Sequence, residues 1–203
     1  MSSRLSATAL IMLLLLRFVS AGCIEGDCRN GVGTRRFFLL GHVYEGEWKD
    51  GKMHGKGTFT FNRGRWKGSS YTGSFKDNKI HGRGVFTFAN GNRYEGEYRE
   101  NKACGEGVFH FEAGKYKGSR YEGEFKNNKM NGTGTFYYAN GNRYEGEWKN
   151  NLKHGSGTFY YANGNRYEGE WRRNKFHGRG TFTYSYGRVL SGKWRRNKFV
   201  GRK

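Results

Sequence analysis

Apolar and polar positions alternate with a period of two along most of the chain, in short segments separated by turn residues. In residues 44–48 (Tyr-Glu-Gly-Glu-Trp), the rings and the glycine fall on one side of an extended strand and the carboxylates on the other. Residues 55–61 alternate in the same way, and the Asp50-Gly51 pair between the two segments suits a tight turn. The pattern therefore predicts a β-hairpin with one face of rings and glycines.

The same hairpin pattern recurs as far as the end of the chain, which is the mark of a repeat protein. Its start-to-start spacings are 27, 23, 27, 23, 23 and 23 residues. The segments begin at Tyr44, Tyr71, Tyr94, Tyr121, Tyr144, Tyr167 and, in a worn form, Leu190. Asn-Gly pairs such as Asn90-Gly91 turn the chain towards the next unit. Residues 44–203 thus form six full units and a terminal half-unit, and residues 31–41 look like the back half of a degenerate unit.

This unit resembles the MORN repeat family, whose repeat reads close to Tyr-Glu-Gly-Glu-Trp-x-x-Gly-x-x-x-Gly-x-Gly. The similarity covers about 80% of the chain, and the departures are local: Thr72 and Ser74 replace both acids of one unit, and Cys104 and Asn131 replace a common His. The resemblance implies an all-β, elongated single-sheet rod of consecutive antiparallel β-hairpins. It also implies a non-enzymatic surface for contacts with proteins or membranes.

The amino-acid composition taken alone suggests a disordered chain, but the repeat indicates a folded one. Leu, Ile, Val and Phe make up about 18% of the 203 residues, and the net charge is +20, a combination typical of disordered chains. The chain also has 34 Gly, no Pro and many aromatic residues, which disordered chains lack. We expect rings packed over glycines to replace an aliphatic core.

The N-terminal segment differs from the repeats. A basic start, a twelve-residue apolar run from Leu5 to Leu16 and small residues up to Gly22 predict a secretory signal peptide over residues 1–22. Cys23 follows Ala21-Gly22, which resembles a bacterial lipobox with Ser20 out of place. We therefore expect Cys23 to be lipidated and the protein to be anchored at the cell envelope. The alternative is cleavage without lipidation, which gives a soluble secreted protein with a Cys23–Cys28 disulfide.

Residue patterns that could form a catalytic or metal site are explained more simply by the repeat. Five units repeat the same pair of Glu residues, whereas an active site occurs once, so the pairs are interpreted as a charged solvent face. His54, His81, His154 and His177 occupy one position of the unit, about 10 Å apart in neighbouring units, which is too far to share a metal ion. The Gly-x-Gly segments do not open a helix as a dinucleotide site requires. No enzyme activity, metal or cofactor is expected.

Positive charge concentrates at the C-terminus. Residues 167–203 contain eleven Lys or Arg and two Glu. The candidate residues for binding an anionic surface recur one unit apart: Arg172, Arg173, Lys175 and Arg179, then Arg195, Arg196, Lys198 and Arg202. Such residues either protect a sheet edge from aggregation or attract anionic lipid. Nucleic acid is not expected as a partner, because an exported chain does not meet it.

Two units are longer than the rest by four residues. The extra residues present a ring beside a cation, Trp66-Lys67 in one unit and Tyr116-Lys117 in the other, and we expect these loops to protrude and contact a partner. The simpler interpretation is a duplicated block that kept its length. The sequence as a whole predicts an envelope scaffold or adaptor with an unidentified protein partner, direct binding of anionic phospholipid as the alternative, and self-association through the rod edges.

Overall fold

A computed structural model of the protein describes residues 22–201 as a single open antiparallel sheet of sixteen strands. The strands lie in the sheet in chain order, so each one pairs with its neighbours in sequence. Their bounds are β1 Cys23–Gly26, β2 Val32–Phe37, β3 His42–Lys49, β4 Lys52–Phe61, β5 Ser69–Lys76, β6 Lys79–Thr87, β7 Arg93–Arg99, β8 Lys102–Phe111, β9 Ser119–Lys126, β10 Lys129–Tyr137, β11 Arg143–Lys149, β12 Leu152–Tyr160, β13 Arg166–Arg172, β14 Lys175–Thr183, β15 Val189–Arg195 and β16 Lys198–Gly201. The predicted all-β rod of consecutive hairpins is confirmed.

One long edge of the sheet is formed by seven two-residue turns, which we call the turn edge. Asp50 and Gly51 have φ angles of 51° and 70°, the left-handed conformation that a tight hairpin requires at both central residues. The same conformation recurs at Asp77-Asn78, Glu100-Asn101, Asn127-Asn128, Asn150-Asn151, Arg173-Asn174 and Arg196-Asn197. The type of turn predicted at Asp50-Gly51 is therefore present in every unit.

The core lies on one face of the sheet, the ring face, where tyrosines cover glycines. Tyr44 is fully buried, and a Cβ added to Gly57 would lie only 2.4 Å from its hydroxyl oxygen, so only glycine fits there. The same hydroxyl donates a hydrogen bond of 3.0 Å to the carbonyl oxygen of Glu47. Burial of the ring raises the pKa of Tyr44 well above its ordinary value. The expectation that rings over glycines form the core is confirmed.

Aromatic contacts link each unit to the next. Tyr44 meets Trp48 edge to face with ring centres 4.9 Å apart, and it meets Phe75 of the following unit at the same distance. Edge-to-face pairs add stabilisation beyond the area that they bury, about 0.5–1.5 kcal/mol each. The indole of Trp148 also donates a hydrogen bond of 3.0 Å to the carbonyl of Gly134. The core is therefore continuous along the rod.

Asparagines tie successive turns together. The side-chain oxygen of Asn78 accepts a hydrogen bond from the Met53 amide at 2.8 Å, and the Asn78 amide donates to the Met53 carbonyl at 3.0 Å. The same pair of bonds joins Asn101 to Ile80, Asn128 to Ala103, Asn151 to Met130, Asn174 to Lys153 and Asn197 to Phe176. The second turn residue is thus fixed by its hydrogen bonds, which the turn pattern alone does not predict.

At the N-terminal end, Cys23 and Cys28 form a disulfide with a Cα–Cα distance of 5.9 Å. A lipid thioether would use the same Cys23 sulfur, so the disulfide and the expected lipidation exclude each other, and lipidation of Cys23 stays a prediction. The predicted signal peptide lies outside the described residues except for Gly22. Within residues 22–201 there is no helix that is both long and apolar enough to span a membrane.

Candidate functional site

Six of the eight basic candidate residues come together at two consecutive turns of the turn edge, and we call this cluster the basic end. It consists of Arg172, Arg173, Lys175, Arg195, Arg196 and Lys198, all of them exposed. The two turns are held side by side because Asn197 and Phe176 exchange backbone and side-chain hydrogen bonds at 3.1 and 2.8 Å. The recurrence of the basic pattern one unit apart predicted this stacking correctly.

Like charges face one another across the hairpins of the basic end. Arg172 lies opposite Lys175, and Arg195 lies opposite both Lys198 and His177. Among the ion pairs of residues 22–201, none involves a residue of the basic end. Opposed like charges repel within a sheet, so an external anion would relieve the repulsion.

The other two candidates lie elsewhere. Arg179 is in the middle of β14, opposite Lys193 of β15, on the face of the sheet away from the rings, which we call the polar face. Arg202 lies outside the described residues. The candidate set therefore divides into the basic end and a separate cationic pair on the polar face.

The first residue of the two-residue turns changes from acidic to basic along the rod. It is Asp50, Asp77 and Glu100 in the first three turns, Asn127 and Asn150 in the next two, and Arg in the last two. The two acids Asp77 and Glu100 form ion pairs with lysines of the preceding turn, Lys52 at 3.9 Å and Lys79 at 3.4 Å. Positive charge on the turn edge is thus partly offset by acids at one end of the rod, whereas no acid of the described residues offsets it at the other.

In the two longer units the rings lie partly buried against the core and do not project freely as expected, whereas contact of these segments with a partner stays a prediction. The extra residues form short 3₁₀ turns at Gly64–Trp66 and Gly114–Tyr116. The Trp66 ring packs against Phe86 at 5.7 Å, and the Tyr116 ring packs against Phe136 at 5.5 Å, so both rings are partly buried. Burying these rings against the core is favourable, and of the four candidate residues only Lys67 and Lys117 are exposed.

The paired Glu residues divide into two structural roles. In four of the five pairs the first Glu forms an ion pair with the Arg two residues before it, as in Arg143–Glu145 at 3.1 Å. The second bends over the first glycine of Gly-x-Gly and accepts a backbone hydrogen bond, as Glu47 does from the Lys56 amide at 2.7 Å. Glu124, Glu147 and Glu170 make the same bond. Both Glu residues lie on the polar face as predicted, but the second one also stabilises the strand.

Lys153 is a site residue that the sequence reasoning missed. It is 9% exposed, and its amino group lies 4.2–5.3 Å from the centres of four rings, Tyr138, Tyr144, Phe159 and Trp171. Burial lowers the pKa of Lys153 to about 7. The signal was present in the repeat, because the equivalent position holds apolar residues in the other units, among them Met53, Met130 and Phe176.

Among the described residues, few side chains are arranged for metal binding or nucleophilic chemistry. They contain no cluster of three or more His, Cys, Asp or Glu side chains that could hold a metal ion. Cys104 is a free thiol, and its partial burial raises its pKa, which lowers the fraction of reactive thiolate.

An open sheet of consecutive hairpins, with tyrosines over glycines in every unit, defines a β-repeat protein. The family model described as MORN repeat matches residues 44–64, 71–93, 94–116, 121–143, 144–166 and 167–185. The chain belongs to the MORN repeat family.

Comparison with other proteins adds little beyond the fold. No curated protein matches the sequence. Among solved structures, the chain is similar to the SAS-4 (dCPAP) TCP domain in complex with a proline-rich motif of Ana2 (dSTIL) of Drosophila melanogaster. The identity is 12%, the TM-score is 0.49, and the match covers 89% of this chain and 97% of that chain. We draw no functional conclusion from this similarity.

Proposed function

We propose that the protein is a non-enzymatic scaffold or adaptor at the cell envelope, where its repeats mediate association with a protein or a membrane. The observation that carries this proposal is the division between a buried ring face and exposed, unit-by-unit variable charge on the turn edge. Because the rings are used to hold the rod together, contacts with a partner fall to the polar face and the turns. MORN repeats are a scaffold and binding fold, which supports the same conclusion.

Export is the part of this proposal that can be tested first. The apolar run from Leu5 to Leu16 supports it, and a Cys23–Cys28 disulfide fits an oxidising compartment. Fractionation of cells that express the full chain should place the protein outside the cytoplasm, and Leu13→Arg with Leu14→Arg should retain it inside. Cytoplasmic location of the unaltered chain would contradict the proposal.

The covalent state of Cys23 decides how the protein is held at the envelope. Palmitate labelling that disappears in Cys23→Ala would establish a lipid anchor, with a Cys28→Ala variant as the matched control that keeps the Cys23 sulfur. If instead the intact protein carries the disulfide, mass spectrometry finds residues 23 and 28 joined and no acyl group. In that case the scaffold is secreted or is held by its partners.

The scaffold proposal itself predicts specific association. The purified protein should retain a defined partner from envelope extracts at physiological salt, and the partner should be released by charge reversal at the turn edge. A variant with the same number of reversals on the polar face, at Arg93, Arg120, Arg143 and Arg166, is the control. Equal loss in both variants would indicate non-specific attraction to a basic protein and would contradict a defined contact surface.

Direct binding of anionic phospholipid through the basic end is the second candidate function. Arg173 and Arg196 occupy the left-handed position of their turns, with φ of 51° in both cases. That conformation is unfavourable for Arg and suits Asn, Asp or Gly, so the two arginines are poor choices for turn stability. Their presence supports a role for their charge, which at an anionic membrane surface contributes about 1 kcal/mol per residue.

Vesicle flotation tests this second candidate. The protein should float with vesicles that contain anionic lipid, and binding should weaken as salt is raised. Charge reversal at Arg172, Arg173, Arg195 and Arg196 should abolish flotation. The matched control reverses Lys49, Lys52, Lys76 and Lys79, which removes the same charge from the other end of the turn edge. If both variants lose binding equally, the basic end is not the lipid-binding surface.

A further inference from the structure

A groove of about 610 Å³ crosses strands β4 to β7 on the polar face, far along the rod from the basic end. Its floor is the backbone of four glycines, Gly57, Gly73, Gly84 and Gly96. Its walls are the side chains of Lys56, Thr58, Thr72, Arg83, Val85 and Glu95. The missing side chains of these glycines would point to the ring face, under the tyrosine hydroxyls, so the glycines present only backbone to the groove.

The groove coincides with the unit that departs from the repeat. Where five other units have two Glu residues, this unit has Thr72 and Ser74. In most of those units the second Glu covers the first glycine of Gly-x-Gly and binds the following amide, as Glu47 does at Gly55. Ser74 is too short to do so, and it removes a carboxylate from the wall. The sequence departure therefore replaces negative charge with hydroxyl groups.

Two cations flank these hydroxyls without a carboxylate partner. Lys56 on β4 lies opposite Ser74 on β5, and its amino group donates a hydrogen bond of 2.9 Å to the serine oxygen. Arg83 lies on the other side of β5, on β6, opposite Glu97 of β7. Neither Lys56 nor Arg83 takes part in an ion pair within residues 22–201. The one acid of the groove wall, Glu95, is already paired with Arg93 at 3.4 Å.

We propose that this groove binds a small soluble molecule through a phosphate or sulfate group, held between Lys56, Ser74 and Arg83. An ammonium group, a guanidinium group and a hydroxyl supply donors to the several oxygens of such an anion, and charged donors make the stronger hydrogen bonds. The guanidinium suits two oxygens at once, whereas the lysine acts as a compact charge. The threonine hydroxyls and the glycine backbone leave room for the rest of the molecule.

This site goes beyond the proposed scaffold function and is independent of it. It lies on the polar face near one end of the rod, and the basic end lies on the turn edge near the other. Loss of either site leaves the other intact, so failure of one proposal does not remove the other.

Amide chemical shifts measured during titration of the protein with inorganic phosphate, and separately with sulfate, test the site. We expect saturable changes centred on the amides of Gly57, Gly73 and Gly84, and none of comparable size with chloride at equal ionic strength. Lys56→Gln with Arg83→Gln should raise the dissociation constant at least tenfold. The matched control is Arg179→Gln, a cation at the equivalent position of a unit that keeps its Glu pair, and it should leave the constant within twofold.

Ser74→Glu separates binding from folding. This substitution restores the repeat pattern, so the variant is expected to fold at least as well, yet its carboxylate should abolish phosphate binding. Vesicle flotation of the Lys56→Gln, Arg83→Gln variant should match that of the unaltered protein, because the proposed ligand is a soluble molecule. The proposal is wrong if Ser74→Glu binds phosphate as tightly as before, if the shifts map to the basic end, or if flotation falls with the groove cations.

Discussion

The first three turns of the turn edge and the last two have the same backbone but opposite charge. Asp50, Asp77 and Glu100 lead the first three, and Arg173 and Arg196 lead the last two, all with φ between 48° and 51°. Acids near one end pair with lysines of the neighbouring turn, as in Lys79–Glu100 at 3.4 Å. At the other end the arginines have no acidic partner among the described residues.

The difference shows that the two central turn positions have separate roles. In six of the seven turns the second is an Asn, fixed by its hydrogen bonds to the preceding unit, as at Asn197 with Phe176. The first is exposed in all seven turns and makes no such bond, so its side chain is free to vary. Charge at this first position can therefore change without loss of the turn, so substitutions there can test the proposed binding separately from folding.

The largest expected change in stability comes from substituting Lys153, which lies in the core between the acidic and basic turns. Lys153→Met places the side chain of Met53 and Met130 in the same slot and removes a buried charge, which is costly without an acidic partner. The four rings attract the ammonium and offset part of that cost. We expect the free energy of unfolding at pH 7 to rise by about 2 kcal/mol, measured by urea denaturation.

The pH dependence provides the control for this prediction. Because the pKa of Lys153 falls from 10.5 to about 7 on folding, the unfolded chain binds more protons between these values. Stability of the unaltered protein should therefore rise from pH 7 to pH 9.5, below the ordinary pKa of tyrosine. Lys153→Met should abolish most of this rise; an unchanged slope would show that the lysine is not responsible.

The next variant distinguishes the contribution of charge to binding from its contribution to turn stability at the basic end. Arg173→Asn with Arg196→Asn puts the preferred residue in each left-handed position, so we expect the free energy of unfolding to rise by about 1 kcal/mol. Loss of two charges should weaken binding to anionic vesicles about thirtyfold. Denaturation and flotation measure the two effects. Asn127→Asp with Asn150→Asp, which also removes net positive charge, is the control for position along the edge.

For Ser74→Glu we expect a change in stability of similar size but no gain or loss of vesicle binding. The new carboxylate should accept a hydrogen bond from the Arg83 amide, as Glu47 does from Lys56 at 2.7 Å. One such bond contributes about 1 kcal/mol to the free energy of unfolding. Thermal denaturation of the variant beside Ser74→Ala measures it, and a lower transition temperature for Ser74→Glu than for Ser74→Ala would contradict this structural role of the second Glu.

The smallest effect concerns the ion pairs of the acidic turns. Asp77→Asn with Glu100→Gln removes two exposed pairs, so we expect a loss of less than about 0.5 kcal/mol, reduced further by salt. The same variant should gain affinity for anionic vesicles, because Lys52 and Lys79 lose their partners. A stability loss above about 1 kcal/mol would mean that these pairs hold the turns together, and flotation without any gain would mean that position on the rod matters more than charge.

The periodicity of the sequence predicts the architecture because every full unit packs a tyrosine ring over glycines in the same way. The alternation in residues 44–48 places Tyr44 over Gly57, and Asp50-Gly51 closes the hairpin as expected. The stacking of Arg172 and Arg195 follows from repeat length in the same way. These features depend on residues that are neighbours in the repeat, so one sequence contains all the information they need.

The features that the sequence did not predict depend on the direction that a side chain takes in the folded sheet. Trp66 was expected in solvent, but the 3₁₀ turn before Lys67 brings it onto Phe86. The hydrogen bond of Glu47 forms because the strand bulges at Gly55, where φ is 57°. The tilt of that turn has no pattern of its own in the chain, and the first glycine of Gly-x-Gly marks the place of the bulge without predicting the hydrogen bond that Glu47 makes across it.

The chain-order arrangement of the sixteen strands has a mechanical consequence. Bonds between antiparallel strands run perpendicular to the strands, so they lie along the rod and carry any pull on its two ends. Such a load breaks one strand pair at a time, and a released 23-residue unit lengthens the chain by about 70 Å. A protein built this way yields gradually under tension and can shorten again as each hairpin re-forms on its neighbour, in the manner of an extensible tether.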